Sequence, residues 1–223
     1  MRLFLDTAEV EEIRHGVRLG VVSGVTTNPT LVAKAGRTSD YKAAVTEICS
    51  IVNGPVSAEV LSLETEGMVQ EAREIASWSP HVVIKMPCTA AGLEAISLLA
   101  GENIKTNLTL CFSTNQALLG SLAGATYISP FVGRLDDVGQ DGMELVADIV
   151  QLLDRYDLAS QVIAASIRHP MHCVVAARAG AHIATIPYSV LMQMVNHPLT
   201  TIGVERFMED WRRVSGQGPG ERK

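Results

Sequence analysis

The feature that most constrains this chain is an alternation. Short apolar runs rich in β-branched residues take turns with longer stretches of helical period. Such a run suits a strand buried on both faces, and a helical stretch between two of them is what a parallel crossover needs. Eight strands are expected, near residues 2–6, 21–26, 56–59, 82–86, 104–110, 125–129, 161–166 and 181–186. Asp40 stands ahead of a helical stretch at 41–52 and Thr89 ahead of one at 90–100, each able to cap an exposed first turn. Gly54 and Pro55 then close the first of these helices.

Eight βα units permit a closed barrel or an open doubly wound sheet, and the polar residues at the strand ends decide between them. Asp6 and Thr7, Thr26 and Asn28, Glu59, Lys85, Asn107 and Thr109, Ser129 and Ser166 sit at or just beyond the expected ends. A barrel gathers all its C-terminal strand ends at one mouth, whereas an open sheet spreads them along a line. A (β/α)₈ TIM barrel is therefore expected, and 223 residues leave little room for a second domain. Val204, Phe207, Met208, Trp211 and Val214 follow helical spacing, so an additional C-terminal helix should carry an apolar stripe that covers its own barrel or a neighbour. The domain is expected to span 1–214, with 215–223 a loose tail too polar to offset the entropy of ordering.

A formal net charge of −6 disfavours nucleic-acid backbones and acidic membranes as partners. The four cysteines, Cys49, Cys88, Cys111 and Cys173, never form a C-x-x-C pair, which disfavours a zinc ribbon, a redox motif or a disulfide scaffold. Acidic residues follow closely on the N-terminal Met-Arg-Leu-Phe-Leu, and no apolar run approaches the roughly 20 residues of a membrane helix. A full-length cytoplasmic protein is expected.

Lys85 interrupts the apolar run Val82-Val83-Ile84-Lys85-Met86-Pro87. An ammonium group is costly there, because desolvation disfavours the charged form. A lysine with a reference pKa of about 10.4 is only about 0.04% neutral at neutral pH; burial worth about 3 units would make it a nucleophile. On position alone, Lys85 could equally reach out of the strand end or pair with a carboxylate. Glu59 and Asp6, which end neighbouring apolar runs, supply the company that a neutral amine needs for Schiff-base chemistry on a ketone. Arg134 and Arg168 follow the sixth and seventh strands, where forked guanidinium donors suit a phosphate.

Five ordered motifs then carry a resemblance: Leu5-Asp6-Thr7, Val25-Thr26-Thr27-Asn28-Pro29, Ile84-Lys85-Met86-Pro87, Ser129-Pro130-Phe131-Val132-Gly133-Arg134 and Ala164-Ala165-Ser166-Ile167-Arg168. Together they resemble the transaldolase family, and its short branch in particular, which also contains the fructose-6-phosphate aldolases. The resemblance implies a class I mechanism with no cofactor and no metal. Lys85 matches the Schiff-base lysine, Asp6 the carboxylate that handles the proton of the hydroxyl beside the cleaved bond, and Glu59 an acid/base working through a water held with Thr109. Asn28 and Asn107 match residues that bind the dihydroxyacetone hydroxyls, with Thr26 and Ser129 beside them. Arg134, Ser166 and Arg168 match the phosphate site.

The resemblance further implies sedoheptulose 7-phosphate or fructose 6-phosphate as donor, an aldose phosphate as acceptor, the non-oxidative pentose phosphate pathway, and a homo-oligomer, a pentamer or decamer. Fructose-6-phosphate aldolases carry Gln where this chain has Glu59 and Tyr where it has Phe131. An apolar Phe131 helps to keep water from a reactive intermediate, so transfer should outpace release of free dihydroxyacetone.

Two other readings compete. His169 and His172 share a helical face, as a metal-dependent aldolase would use, but no third ligand lies nearby in sequence. A non-catalytic sugar-phosphate binder would need the arginines and not Lys85. Met192 and Met194 read as core or interface filler, Trp78 and Trp211 as helix-packing aromatics, His182 as a strand residue with no clear partner, and Cys88 as a thiol with no role.

Overall fold

A computed structural model describes residues 1–36 and 40–215. Eight parallel strands close into a barrel in sequence order: β1 (Arg2–Asp6), β2 (Val22–Thr26), β3 (Val56–Glu59), β4 (Val82–Pro87), β5 (Thr106–Cys111), β6 (Tyr127–Pro130), β7 (Gln161–Ala164) and β8 (Ile183–Ile186). The helices are α1 (Val10–Arg18), α2 (Pro29–Lys34), α3 (Tyr41–Val52), α4 (Thr65–Ala76), α5 (Ala90–Gly101), α6 (Thr114–Leu122), α7 (Val132–Asp136), α8 (Gly142–Arg155), α9 (Pro170–Arg178), α10 (Tyr188–Val195) and α11 (Pro198–Val214). The expected (β/α)₈ architecture is present, together with the additional C-terminal helix.

The two expected caps are made: Asp40 accepts from Ala43 N–H at 2.8 Å and Thr89 from Gly92 N–H at 3.0 Å. Three strands begin two residues later than the sequence suggests, for one reason. Ile104, Ala125 and Ala181 donate backward to Leu99, Gly120 and Ala176, so each closes the preceding helix. Before each stands a residue in the left-handed region, Asn103, Gly124 or Gly180, as a Schellman ending requires. At the other end of β7, Ser166 has φ +58, which stops the strand before it reaches that residue.

The barrel interior is layered by the two-residue period of its strands. A separate apolar cluster, Phe4, Val83, Tyr127, Ile163 and Ile183, plugs the lower part. Burying a ring such as Phe4 contributes about 1.5–3 kcal/mol. Gly24 makes room for it, since a Cβ there would lie 2.5 Å from the Phe4 ring. Two residues further along these same strands come Asp6, Thr26, Lys85, Ser129 and Thr185, so one pleat repeat converts a greasy plug into a polar floor. The larger core lies between strands and helices.

Of the two covers expected for the C-terminal stripe, the structure excludes one. Residue for residue α11 buries nothing: Phe207 is 75% exposed, Trp211 63% and Val214 81%. The stripe does not cover this chain's own barrel, and Trp211 packs no helix here. Of the tail expected at 215–223, Ser215 is a turn and the rest lies outside the described residues.

Candidate active site

The polar floor opens into a cavity of about 620 Å³ at the C-terminal ends of the strands. Lys85 forms part of it, 6% exposed, with its Nζ donating to the Thr27 carbonyl at 2.9 Å. β3 and β4 pair with Glu59 beside Lys85. Burial pushes the Glu59 carboxyl above the usual carboxylate range; the nearby Lys85 charge opposes this and the Asp6 charge adds to it. The rise means that Glu59 can exchange a proton nearer to neutral pH than an exposed glutamate would.

On the adjoining strands β2 and β1, Thr26 donates to Asp6 at 2.7 Å. Thr26 Oγ1 also lies 2.6 Å from Thr185 Oγ1. Since the Thr26 hydrogen is directed at Asp6, Thr185 is the donor of the second bond. A third chain runs from Ser129, which donates to Asn107 at 2.7 Å, to Ser57, which accepts from the same amide at 3.2 Å.

Of the twelve residues expected in the site, eleven line the cavity: Asp6, Thr26, Asn28, Glu59, Lys85, Thr109, Ser129, Phe131, Arg134, Ser166 and Arg168. Asn107 is the exception. It is fully buried, is not part of the cavity lining, and has both ends of its amide engaged. Asn28 is half committed as well, because its side-chain oxygen caps α2 by accepting from Leu31 N–H at 2.9 Å. Only its amide donor is left for a ligand.

The cationic side of the cavity is built from two turns stitched together. Val132 and Gly133 donate to Ala165 and Ser166 at 3.0 Å each, which docks the start of α7 on the turn after β7. Gly133 is required by this approach: a Cβ would lie 2.3 Å from the Ser166 carbonyl and 2.5 Å from Arg168 Nε. Arg134 stands 5.6 Å from the Phe131 ring, and Phe112 meets that ring edge-on. Arg168 pairs with Asp137 at 2.7 Å, an exposed bond that an incoming anion can displace.

Several polar groups of the site escaped sequence reasoning. Thr185 could have been found, since it stands two residues beyond Ile183 on the same strand face. Tyr41 carried no such signal: from the first turn of α3 its hydroxyl accepts from Glu59 N–H at 2.9 Å. Burial raises the Tyr41 pKa, so the phenol stays protonated. His182 needs a correction, for it has a partner and accepts from Val162 N–H at 3.1 Å. Cys88 is half-buried and its thiol is pushed up by burial, while the more deeply buried Cys111 is pushed up to about 12. Neither thiol is activated. Among the described residues no cluster of three or more His, Cys, Asp or Glu side chains could hold a metal ion, and no helix is long and apolar enough to cross a membrane.

The barrel on its own says little about chemistry. A lactate oxidase structure from Pediococcus acidilactici superimposes with a TM-score of 0.58 at 13% identity, covering 83% of this chain and 62% of that one, which shows a shared fold only. Sequence comparison is more specific. A "Probable transaldolase" of Dehalococcoides mccartyi is 61% identical over 215 residues, covering 96% of this chain and 99% of that protein. Another from a Thermoanaerobacter species is 59% identical over 214 residues, covering 96% and 98%. A family model described as Transaldolase/Fructose-6-phosphate aldolase matches residues 3–218. With a buried lysine beside Glu59 and with Asp6 on the same floor of a closed barrel, and these relatives along nearly its whole length, the chain belongs to the transaldolase/fructose-6-phosphate aldolase family.

Proposed function

We propose that the chain is a transaldolase that carries a dihydroxyacetone unit from a ketose phosphate to an aldose phosphate on Lys85. The observation that carries this reading is the buried Lys85 amine, set in the cavity floor beside Glu59 with Asp6 on the same floor. The amine attacks C2 of the ketose, and loss of water leaves an imine. Asp6 takes the proton of the C4 hydroxyl as the C3–C4 bond breaks. An aldose phosphate departs, and the electron pair stays on the nitrogen-conjugated three-carbon fragment. That fragment then adds through C3 to the acceptor aldehyde, and hydrolysis frees Lys85.

Glu59 serves as acid and base for imine formation and hydrolysis, through a water shared with Thr109. Its raised pKa suits it to give and accept protons in turn. Thr26 holds the Asp6 carboxylate in place. Arg134, Ser166 and Arg168 receive the phosphate, with Asp137 giving up Arg168 on binding. Asn28 and Ser129 face the dihydroxyacetone hydroxyls, and Asn107 acts from outside the cavity lining by orienting Ser129.

Phe131, braced edge-on by Phe112, gives the cavity an apolar wall, which favours transfer over hydrolytic release. The proposal extends to a cytoplasmic enzyme of the non-oxidative pentose phosphate pathway. It extends also to a homo-oligomer, because the exposed stripe of α11 is what a second copy would cover.

Borohydride added with fructose 6-phosphate should inactivate the enzyme and label one peptide, the one containing Lys85. Labelling of another lysine, or none, overturns the mechanism. Rapid splitting of fructose 6-phosphate with no acceptor present would instead move the chain to the aldolase side of the family.

A further inference from the structure

His172 lies in the first turn of α9, 9% exposed, and both of its ring nitrogens are engaged. Nδ1 accepts from the Arg168 backbone N–H at 3.3 Å. Nε2 lies 3.2 Å from an Asp136 carboxylate oxygen. An accepting Nδ1 leaves the single hydrogen of a neutral ring on Nε2, so the tautomer is set by its two partners. Asp136 is on α7, two residues from Arg134, and its other oxygen accepts from Gly142 N–H at 3.0 Å. The imidazole therefore ties the helix that carries Arg134 to the turn that carries Arg168.

We propose that neutral His172 is a positioning residue of the phosphate grip, holding the Arg168 backbone in register with α7, and that its protonation loosens that grip. The inference rests on the assignment of Arg134 and Arg168 to phosphate. A second proton on the ring would put an N–H at Nδ1 against the Arg168 N–H, donor facing donor. The charged groups around it are Asp136 on α7, Asp141 before α8, and Arg168 and His169 beside α9, with the His169 ring 3.7 Å away. Burial is the largest influence, and with His169 and Arg168 it outweighs the two aspartates, so the ring stays neutral below the usual histidine range. A role in capping α9 alone would predict a general loss of stability and activity.

Three variants separate these roles. His172→Ala removes both bonds and should raise KM for fructose 6-phosphate roughly 5- to 10-fold, the effect of about one hydrogen bond. Its kcat should stay near wild type, as should its rate of transfer from unphosphorylated fructose to unphosphorylated erythrose. His172→Asn keeps an acceptor where Nδ1 stood and cannot titrate, so it should recover part of the loss in KM, the reach to Asp136 being gone. The ratio of wild-type KM to that of His172→Asn should be flat above neutrality and climb as the pH falls below the ordinary histidine range. Taking this ratio cancels the titration of the substrate phosphate itself.

Equal losses on phosphorylated and unphosphorylated substrates, or a ratio that never moves with pH, would overturn the inference. Arg168→Gln is the control: if it leaves KM for fructose 6-phosphate unchanged, the phosphate assignment has failed. A raised KM in Arg168→Gln with no change in His172→Ala would sink the role of His172 alone.

Discussion

Two kinds of polar residue end up in the site, and sequence exposes only one kind. Lys85, Glu59 and Asp6 interrupt or end apolar runs, so their cost in a barrel wall is visible in the pattern itself. Thr185 and Tyr41 act through oxygens that any hydroxyl could offer, and only the fold brings them to Thr26 and Glu59. Asn107 shows the reverse case, a residue in the right layer whose amide is spent on neighbouring side chains. Glu59 carries a prediction with a definite sign. Its folded pKa is raised, so the folded state holds this proton more tightly than the unfolded chain does. The stabilisation is complete below the unfolded value of about 4.5 and is lost as the pH rises through the higher folded value. Glu59→Gln should therefore raise Tm at neutral pH, with the advantage vanishing in acid. It should also remove the acid limb of the pH profile of kcat/KM and lower kcat roughly 10²- to 10⁴-fold, as loss of an acid/base group does. Melting curves and initial rates across pH read both effects.

Among elements, strands and helices of strong period were legible and their junctions were not. The late starts of β5, β6 and β8 follow from helix endings that keep a residue's N–H for themselves, a preference that apolar character in the next strand conceals. The short α7 has a similar character, since its place is set by the turn after β7 and by the lack of a side chain at Gly133. Gly133→Ala would force the Ser166 carbonyl and the Arg168 side chain apart. A stability loss of about 1–3 kcal/mol is expected from such crowding. KM for phosphorylated sugars should rise while turnover of unphosphorylated substrates changes little. Denaturant unfolding together with KM on both substrate types checks this, and unaltered KM would mean that the two arginines are not set by this contact.

For the whole molecule, the barrel could be read from strand ends because seven of the eight expected strands show a polar group there, and the closed barrel brings these to one mouth. The destination of α11 could not be read, since an apolar stripe announces only that it needs a cover. Leu199, Phe207 and Trp211 are more than 60% exposed, which suits contact with a second copy far better than contact with water. Deleting residues 198–223 should reduce the assembly size seen by light scattering. It should leave an intact barrel, because α11 buries none of its side chains against it. An unchanged size would remove the helix from the interface.

The apolar plug formed by Phe4, Val83, Tyr127, Ile163 and Ile183 closes the lower end of the barrel, so that among the described residues the cavity is reached from the mouth at the strand ends. Molecules that share that mouth have to use it in turns. In the proposed reaction the departing aldose must clear the passage before the next one enters, so the order of events is imposed by the closed end of the barrel as much as by the covalent bond.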